Sequence, residues 1–360
     1  MHTPTREVSV MNGRFTVSGG YDPPVRIPDV VLKCVAFVGE ATLRSADGAV
    51  SGDLLATGFF VSVPLFKQVR VPRFVYFVTA KHVASDLAGR EAYFLANKKG
   101  GGVKPIETVV GNEWHLHPSD PTADIALIQV GVDRDLDVDT VGIEDFGTPE
   151  RLKELNVGIG DLVHSTGLFT PAPGQQRNMP IVRVGNIAMM PEEQIQTELG
   201  FADVFLIEAH SLGGISGSPV FVRPTINFKL PPEMARSGVN NAFWYGHGAT
   251  LLGLMHGHWD IRESEMNQAF FTHDRKHGVN MGIAIVVPAI KILETLFSPE
   301  LAIERERMSE KIKRAFVPGT DSAREKKETE KAAEQSPFTR DDFEDALKKA
   351  SRKIAPESKQ

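Results

Sequence analysis

Short runs of apolar and β-branched residues, cut by Gly, Pro and charged turns, recur along most of the chain. Val30 to Val38, Ala56 to Val61, Phe74 to Ala80 and Ala123 to Val130 each read as one strand of an all-β unit. An acidic stretch, residues 131 to 156, is punctuated by Gly142, Gly147 and Pro149 and suits a connector. A second series follows at Asp161 to Thr166, Ile181 to Val184, Val204 to Ile207, Val220 to Val222, Leu251 to Met255 and Gly282 to Val287. Two long loops, 223 to 249 and 259 to 279, interrupt it, and loops of that length in a compact domain usually carry function or stay disordered.

After Pro288 the period changes. Ile290, Leu293 and Phe297 share a helical face suited to closing the second unit, and Met308, Ile312 and Phe316 continue at helical spacing. The expected organisation is an N-terminal extension over 1–28, a first β unit over 29–140 and a second with its closing helix over 141–297. An amphipathic helix over 298–317, a charged linker over 318–337 and a C-terminal helix over 338–360 complete it. Thr339 is placed to cap that last helix, whose Phe343, Leu347, Ala350 and Ile354 fall on one side. Such a stripe suits either docking on its own chain or a regulatory or tethering partner.

Charge and composition remove several classes. The net charge of −6 is spread without a basic patch, which argues against nucleic acid as a partner. No apolar run reaches the roughly 18 residues of a membrane span, and the first twenty residues lack the apolar core of a secretory signal. Cys34 is the only cysteine, so no intrachain disulfide forms and zinc sites needing two thiolates are excluded. These features point to a cytoplasmic protein.

The candidate chemistry sits in three places. Gly213-Gly214-Ile215-Ser216-Gly217-Ser218-Pro219 holds a serine on a tight turn between two strand candidates, exposing a hydroxyl and neighbouring N–H groups. Thr79-Ala80-Lys81-His82-Val83 puts an imidazole at the end of a strand, where a pKa near 6.5 suits proton transfer at neutral pH. Asp124 begins a hydrophobic strand, so its carboxylate is expected to be buried and to need a donor, which an imidazole N–H supplies.

In the order His82, Asp124, Ser216, these segments resemble the Thr-Ala-x-His, Asp-Ile-Ala-Leu and Gly-x-Ser-Gly-Gly/Ser-Pro motifs of the trypsin-like serine peptidases, in particular their disulfide-free bacterial branch. The resemblance covers about residues 30 to 297. It implies two six-stranded antiparallel β-barrels, here followed by a C-terminal helical tail, with the active site in the cleft between them. It further implies Ser216 as nucleophile, His82 as base and then acid, Asp124 as its orienting partner, and Gly214 and Ser216 N–H groups as the oxyanion hole. Peptide bonds of protein or peptide substrates would be hydrolysed without a cofactor or metal.

Family members activated by propeptide cleavage carry an acidic residue just before the serine. Ile215 stands there instead, so that route is expected to be closed. By the same resemblance His210 approaches the floor of the substrate pocket, and Met255, His256, Gly257 and His258 form its wall. The alternative for two of these is that His256 packs against Asp124 and His258 faces solvent. The pairs His115/His117 and His256/His258 lack a third ligand at recognisable spacing, which argues against a metal site. An esterase of the α/β-hydrolase type would need Gly-x-Ser-x-Gly with the histidine last, and neither holds. A trypsin-like fold kept as a non-catalytic interaction module, docking partners through its C-terminal helix, is the remaining alternative.

Overall fold

The computed structural model describes residues 7–11, 14–18, 27–44, 50–66, 69–90, 92–106, 113–169, 174, 176–209, 215–223, 249–261 and 279–315. His210, Gly213 and Gly214, the centres of the two long loops, the linker 318–337 and the helix expected over 338–360 lie outside these residues. In the expected N-terminal extension, β1 (Glu7–Met11) and β2 (Arg14–Ser18) pair antiparallel on either side of Asn12-Gly13, a dipeptide strongly favoured in two-residue hairpin turns.

Val30 to Lys33, read as strand, are instead helical in α1 (Asp29–Lys33). Pro28 precedes the helix and Asp29 sits in its first turn, where a carboxylate favours the positive helix end. The strand begins only at Val35. The first sheet then comprises β3 (Val35–Arg44), β4 (Val50–Phe66), β5 (Val69–Thr79), β6 (Ala92–Asn97), β7 (Val103–Ile106), β8 (His115–Leu116), β9 (Ala126–Gln129) and β10 (Val141–Gly142). Its order is β7-β6-β3-β4-β5-β9-β8, with β10 parallel to β4. Among the described residues this sheet is open, not a closed barrel. Its edges explain that: β7 contains Pro105, which has no N–H to donate, and β8 is two residues long.

The acidic connector folds locally. A 3-10 turn at Ile143–Asp145 leads to α3 (Pro149–Glu154), whose cap Thr148 accepts from the Arg151 N–H at 3.2 Å; α2 is the helix Lys81–Asp86 that follows β5. The second unit is a closed six-stranded barrel. It comprises β11 (Leu162–Leu168), β12 (Pro180–Met189), β15 (Phe205–Glu208), β16 (Pro219–Arg223), β17 (Thr250–Ile261) and β18 (Val279–Pro288), in the order β11-β12-β15-β18-β17-β16. Strands β13 (Ile195–Thr197) and β14 (Gly200–Ala202) form a separate hairpin. Alternate residues such as Phe205 and Ile207, Val220 and Val222, and Ala284 and Val286 fill the barrel interior, as a two-residue period requires.

The larger core lies under the first sheet. Phe59, Phe60, Phe77 and Phe94 are fully sealed there, and burying each such side chain contributes about 1.5–3 kcal/mol. α4 (Ala289–Leu296) packs on β17 and β18 of the barrel, and its Ile292, Leu293 and Leu296 also join this larger core, beside Leu168, Phe221 and Leu254 of the barrel. Its apolar stripe thus spans the seam between the two units. α5 (Pro299–Ala315) continues over the same core through Leu301, Met308 and Ile312. No helix among the described residues is long and apolar enough to cross a membrane.

Candidate active site

β5 ends at Thr79, and α2 begins two residues later, so His82 lies in the first turn of a helix that emerges from the sheet. Asp124 lies just before β9, the strand paired with β5, so antiparallel pairing brings the two segments together across 42 positions. Asp124 is fully buried and grips His82 at two points. Its Oδ1 accepts the His82 backbone N–H at 2.9 Å, and its Oδ2 meets His82 Nδ1 at 2.8 Å. A carboxylate only accepts, so the imidazole carries a proton on Nδ1. The lone pair of a neutral ring is thereby left on Nε2.

A second histidine shares the same oxygen. His256 Nδ1 lies 2.5 Å from Asp124 Oδ2, and its ring meets that of His82 edge-to-face with centroids 5.4 Å apart. The backbone explains the aim. Met255 pairs with Val286 and Gly257 with Ile285, so His256 is the extra residue of a β-bulge between β17 and β18. Bulges redirect a side chain out of the regular alternation. Burial pushes the Asp124 carboxyl up, but hydrogen bonds from His256 and His82 outweigh it and hold Asp124 well below the usual carboxylate range. For His82, burial works downward while the hydrogen bond and charge of Asp124 push up, and the net shift is upward.

His82, Asp124 and His256 present three ligand atoms within 4.8 Å of one another, a grouping that deserves the metal question. Their N···O separations of 2.5 and 2.8 Å are hydrogen-bond contacts, whereas tetrahedral zinc with bonds near 2.0–2.1 Å spaces its ligand atoms by roughly 3.3 Å. The resting cluster is therefore a proton-bridged one. His115 and His117 do not converge on a site either. His117 accepts the Asp120 N–H on Nδ1 and turns Nε2 to Glu294 of α4, while His115 lies 3.8 Å from Glu300 of α5.

The serine turn is docked by its backbone. The Ser218 N–H donates to Ile215 O at 3.0 Å, and Gly217 and Met255 of β17 exchange bonds with the turn, Gly217 N–H to Met255 O and Met255 N–H to Ser218 O, both at 2.8 Å. From the first sheet, the Thr57 N–H donates to Ser216 O at 3.2 Å. Thr57 also accepts the Leu168 N–H on its hydroxyl and the Thr79 hydroxyl on its carbonyl, so one β4 residue ties the turn, the barrel and the histidine strand together. Gly217 needs φ of +83°, and a Cβ there would fall 2.2 Å from Thr57 O and 2.4 Å from Thr79 Oγ1. Only glycine fits. The turn therefore abuts the end of β5, and Ser216 stands half-buried in the neighbourhood of His82. No hydrogen bond joins Ser216 Oγ to His82 among the described residues, and such contacts are often long before substrate binds.

The expected pocket wall divides. Gly257 faces open space, with nothing within 4 Å of a Cβ placed on it. Met255 instead buries its side chain in the barrel core, and His256 turns to Asp124, the second of the two readings open for it in the sequence. Of His258 the backbone is placed in β17, opposite Ala284. Thr57 was missed as a site residue. A lone threonine inside Ala56-Thr57-Gly58 carries no motif, although Gly58 beside it signals a close approach.

No protein-family description matches the sequence, and no curated protein does. Among solved structures the chain is similar to the MamO protease domain from Magnetospirillum magneticum in its apo form, at 16% identity and a TM-score of 0.43, over 73% of this chain and 96% of that one. It is also similar to the HtrA-type protease AlgW with a decapeptide, at 14% identity and a TM-score of 0.41, over 82% of this chain and 75% of that one.

Proposed function

We propose that the chain is a serine endopeptidase that cleaves peptide bonds in protein substrates through an acyl-enzyme on Ser216. The observation that carries this reading is the two-point grip of buried Asp124 on His82 beside a glycine-bracketed serine turn. In this mechanism Ser216 Oγ attacks the scissile carbonyl as His82 Nε2 takes its proton, and His82 then protonates the leaving amine. Asp124 keeps the proton on Nδ1 and stabilises the imidazolium. The N–H groups of Gly214 and Ser216 receive the oxyanion. Every proton and bond in this scheme is handled by side chains and backbone, so it calls for no cofactor.

Ile215 is buried beside Gly167, whose Cβ, if present, would lie 3.2 Å from its Cγ2. An apolar anchor there supports a turn that takes its working shape without a new N-terminal ammonium. Substrate is assigned to His210, Gly257 and His258, with Met255 and His256 withdrawn because their side chains face elsewhere. The segment 338–360 is assigned to a regulatory or tethering partner; truncation after Phe316 that leaves activity and partner recovery unchanged would remove that assignment.

A second reading, a non-catalytic interaction module, is favoured by the absence of a Ser216–His82 hydrogen bond among the described residues. A fluorophosphonate probe decides between them. The parent is expected to label and Ser216→Ala to lose labelling; equal labelling, or none in either, sinks the peptidase reading. Because His82 must be deprotonated to act, and its pKa is raised, labelling should climb with pH through a midpoint above the ordinary 6.5.

A further inference from the structure

The turn Asp120-Pro121-Thr122-Ala123 leads from β8 to Asp124, and it is tied from both β units. Asp120 Oδ1 accepts the Thr122 N–H at 2.9 Å and the Thr122 hydroxyl at 2.6 Å, and the Asp120 carbonyl accepts the Ala123 N–H at 3.3 Å. Its other oxygen, Oδ2, lies 2.8 Å from Nζ of Lys291 on α4, the helix that follows the last strand of the second unit. From the first unit Lys81, the neighbour of His82, donates to the Pro121 carbonyl. We propose that Lys291 is a positioning residue for the reaction at Ser216: its ion pair with Asp120 fastens the turn that delivers Asp124 to His82. This rests on the peptidase reading above and deepens it.

The side chains of Lys291 and Asp120 are only 16% and 19% exposed, so water and salt screen this pair less than a surface pair. Burial pushes the Asp120 carboxyl up and the Lys291 ammonium down, but the bond between them outweighs burial on both sides and keeps both charged at neutral pH. Asp203 and Glu294 stand 3.8 and 3.7 Å from the same Nζ, too far for hydrogen bonds. Three carboxylates thus converge on one ammonium, and without it they repel one another. His117 gives the turn a weaker second hold, its Nδ1 accepting the Asp120 N–H at 2.9 Å while its Nε2 meets Glu294 at 2.7 Å.

If the turn gives way, the two-point grip of Asp124 on His82 loosens, and with it the upward push of that carboxylate on the imidazole. The remaining titratable groups around His82 among the described residues are Asp86 of its own helix and His256 of β17, while Lys81 is turned to Pro121. The described residues of the serine turn, 215 to 219, carry no charge.

Loss of the ammonium therefore has a signature that packing alone does not produce. Lys291→Met should lower kcat about 10- to 100-fold with KM nearly unchanged, as a displacement of about 1 Å or less at the reacting groups does. The acid limb of kcat/KM should move to lower pH. Removing a positive charge would by itself move it the other way, so the sign separates a loosened turn from a simple field effect. Lys291→Arg should restore both quantities. Asp120→Asn, which keeps an acceptor for Thr122 but not the charge, should reproduce the Lys291→Met loss, and the double variant should be no worse than either single one. Additive losses, or an Asp120→Asn as active as the parent, would mean that Lys291 serves Asp203 or Glu294 and overturn the proposal. A lower melting temperature with unmoved kcat and acid limb would overturn it too.

A second measurement does not depend on turnover. In Ser216→Ala protein, proton NMR follows the titration of the His82 ring; adding Lys291→Met should move its midpoint to lower pH, and adding Lys291→Arg should not. An unmoved midpoint with Lys291→Met overturns the proposal. If the midpoints behave as expected and the parent does not label with fluorophosphonate, the peptidase reading falls while the fastening of Asp124 stands.

Discussion

The two β units bury polar groups near the candidate site in opposite ways. On the first, Asp124 is sealed from water and receives three hydrogen bonds, two from His82 and one from His256. On the second, Ser218 Oγ and Thr166 Oγ1 are equally sealed and have no partner among the described residues. A buried carboxylate without donors costs far more than a buried hydroxyl, so the surroundings of Asp124 must be built from specific side chains. The serine half is held by backbone bonds and glycines, so most of its side chains are free to be what packing allows. Specificity of geometry around the candidate site is thus carried by side chains on the first unit and by main chain on the second.

The sharpest way to break this contrast is Asp124→Asn. An amide offers one acceptor and donates from the other atom, so it cannot receive all three donors; the wrong tautomer of His82 is expected to lower kcat/KM by about 10⁴-fold. Stability should respond with a defined sign. The folded-state pKa of Asp124 is depressed, so its contribution is present above the unfolded value near 3.9 and fades as pH falls below it. Denaturation curves of the parent and the variant should therefore differ at pH 7 and converge in acid. A constant gap across pH would mean that Asp124 acts through shape alone.

On the serine wall, Gly217→Ala is expected to be the damaging change. It places a Cβ at positive φ against Thr57 O and Thr79 Oγ1, and we expect a loss of about 3 kcal/mol or more in urea unfolding together with loss of probe labelling. Retained labelling would show that the turn is not set by its backbone.

The smallest effect tests the first unit away from the cleft. Arg305 of α5 is buried; among the described residues its Nη1 bonds the Tyr76 hydroxyl at 3.2 Å while Nε and Nη2 have no partner, although the guanidinium stacks 5.0 Å from the Phe297 ring centroid. Replacing such a cation with an apolar chain of similar volume is often neutral or stabilising. Arg305→Met should leave the melting temperature unchanged or raise it. A fall of several degrees would mean that the ring stacking outweighs the desolvation of the charge.

Local signals settled part of this protein in advance. The two-residue period of the second series closes into a six-stranded barrel, and the segments carrying His82 and Asp124 meet because each marks the end of a neighbouring strand. Two further elements were legible and passed over: Thr148-Pro149 is an ordinary helix start, and Asn12-Gly13 an ordinary hairpin signal. Val30 to Lys33 were misread because β-branched residues outvoted Pro28 and Asp29, a proline followed by an acidic residue being a helix-start signal. Tertiary structure alone decided the rest. Whether a sheet closes depends on which edges have donors left, which helix covers which core depends on where apolar surface remains exposed, and the aim of His256 depends on one extra residue in β17 relative to β18. None of these is a property of a short window. Each is a sum over residues far apart in the chain, so the same histidine that the sequence offers to a substrate is turned by the fold onto a buried carboxylate 132 positions away.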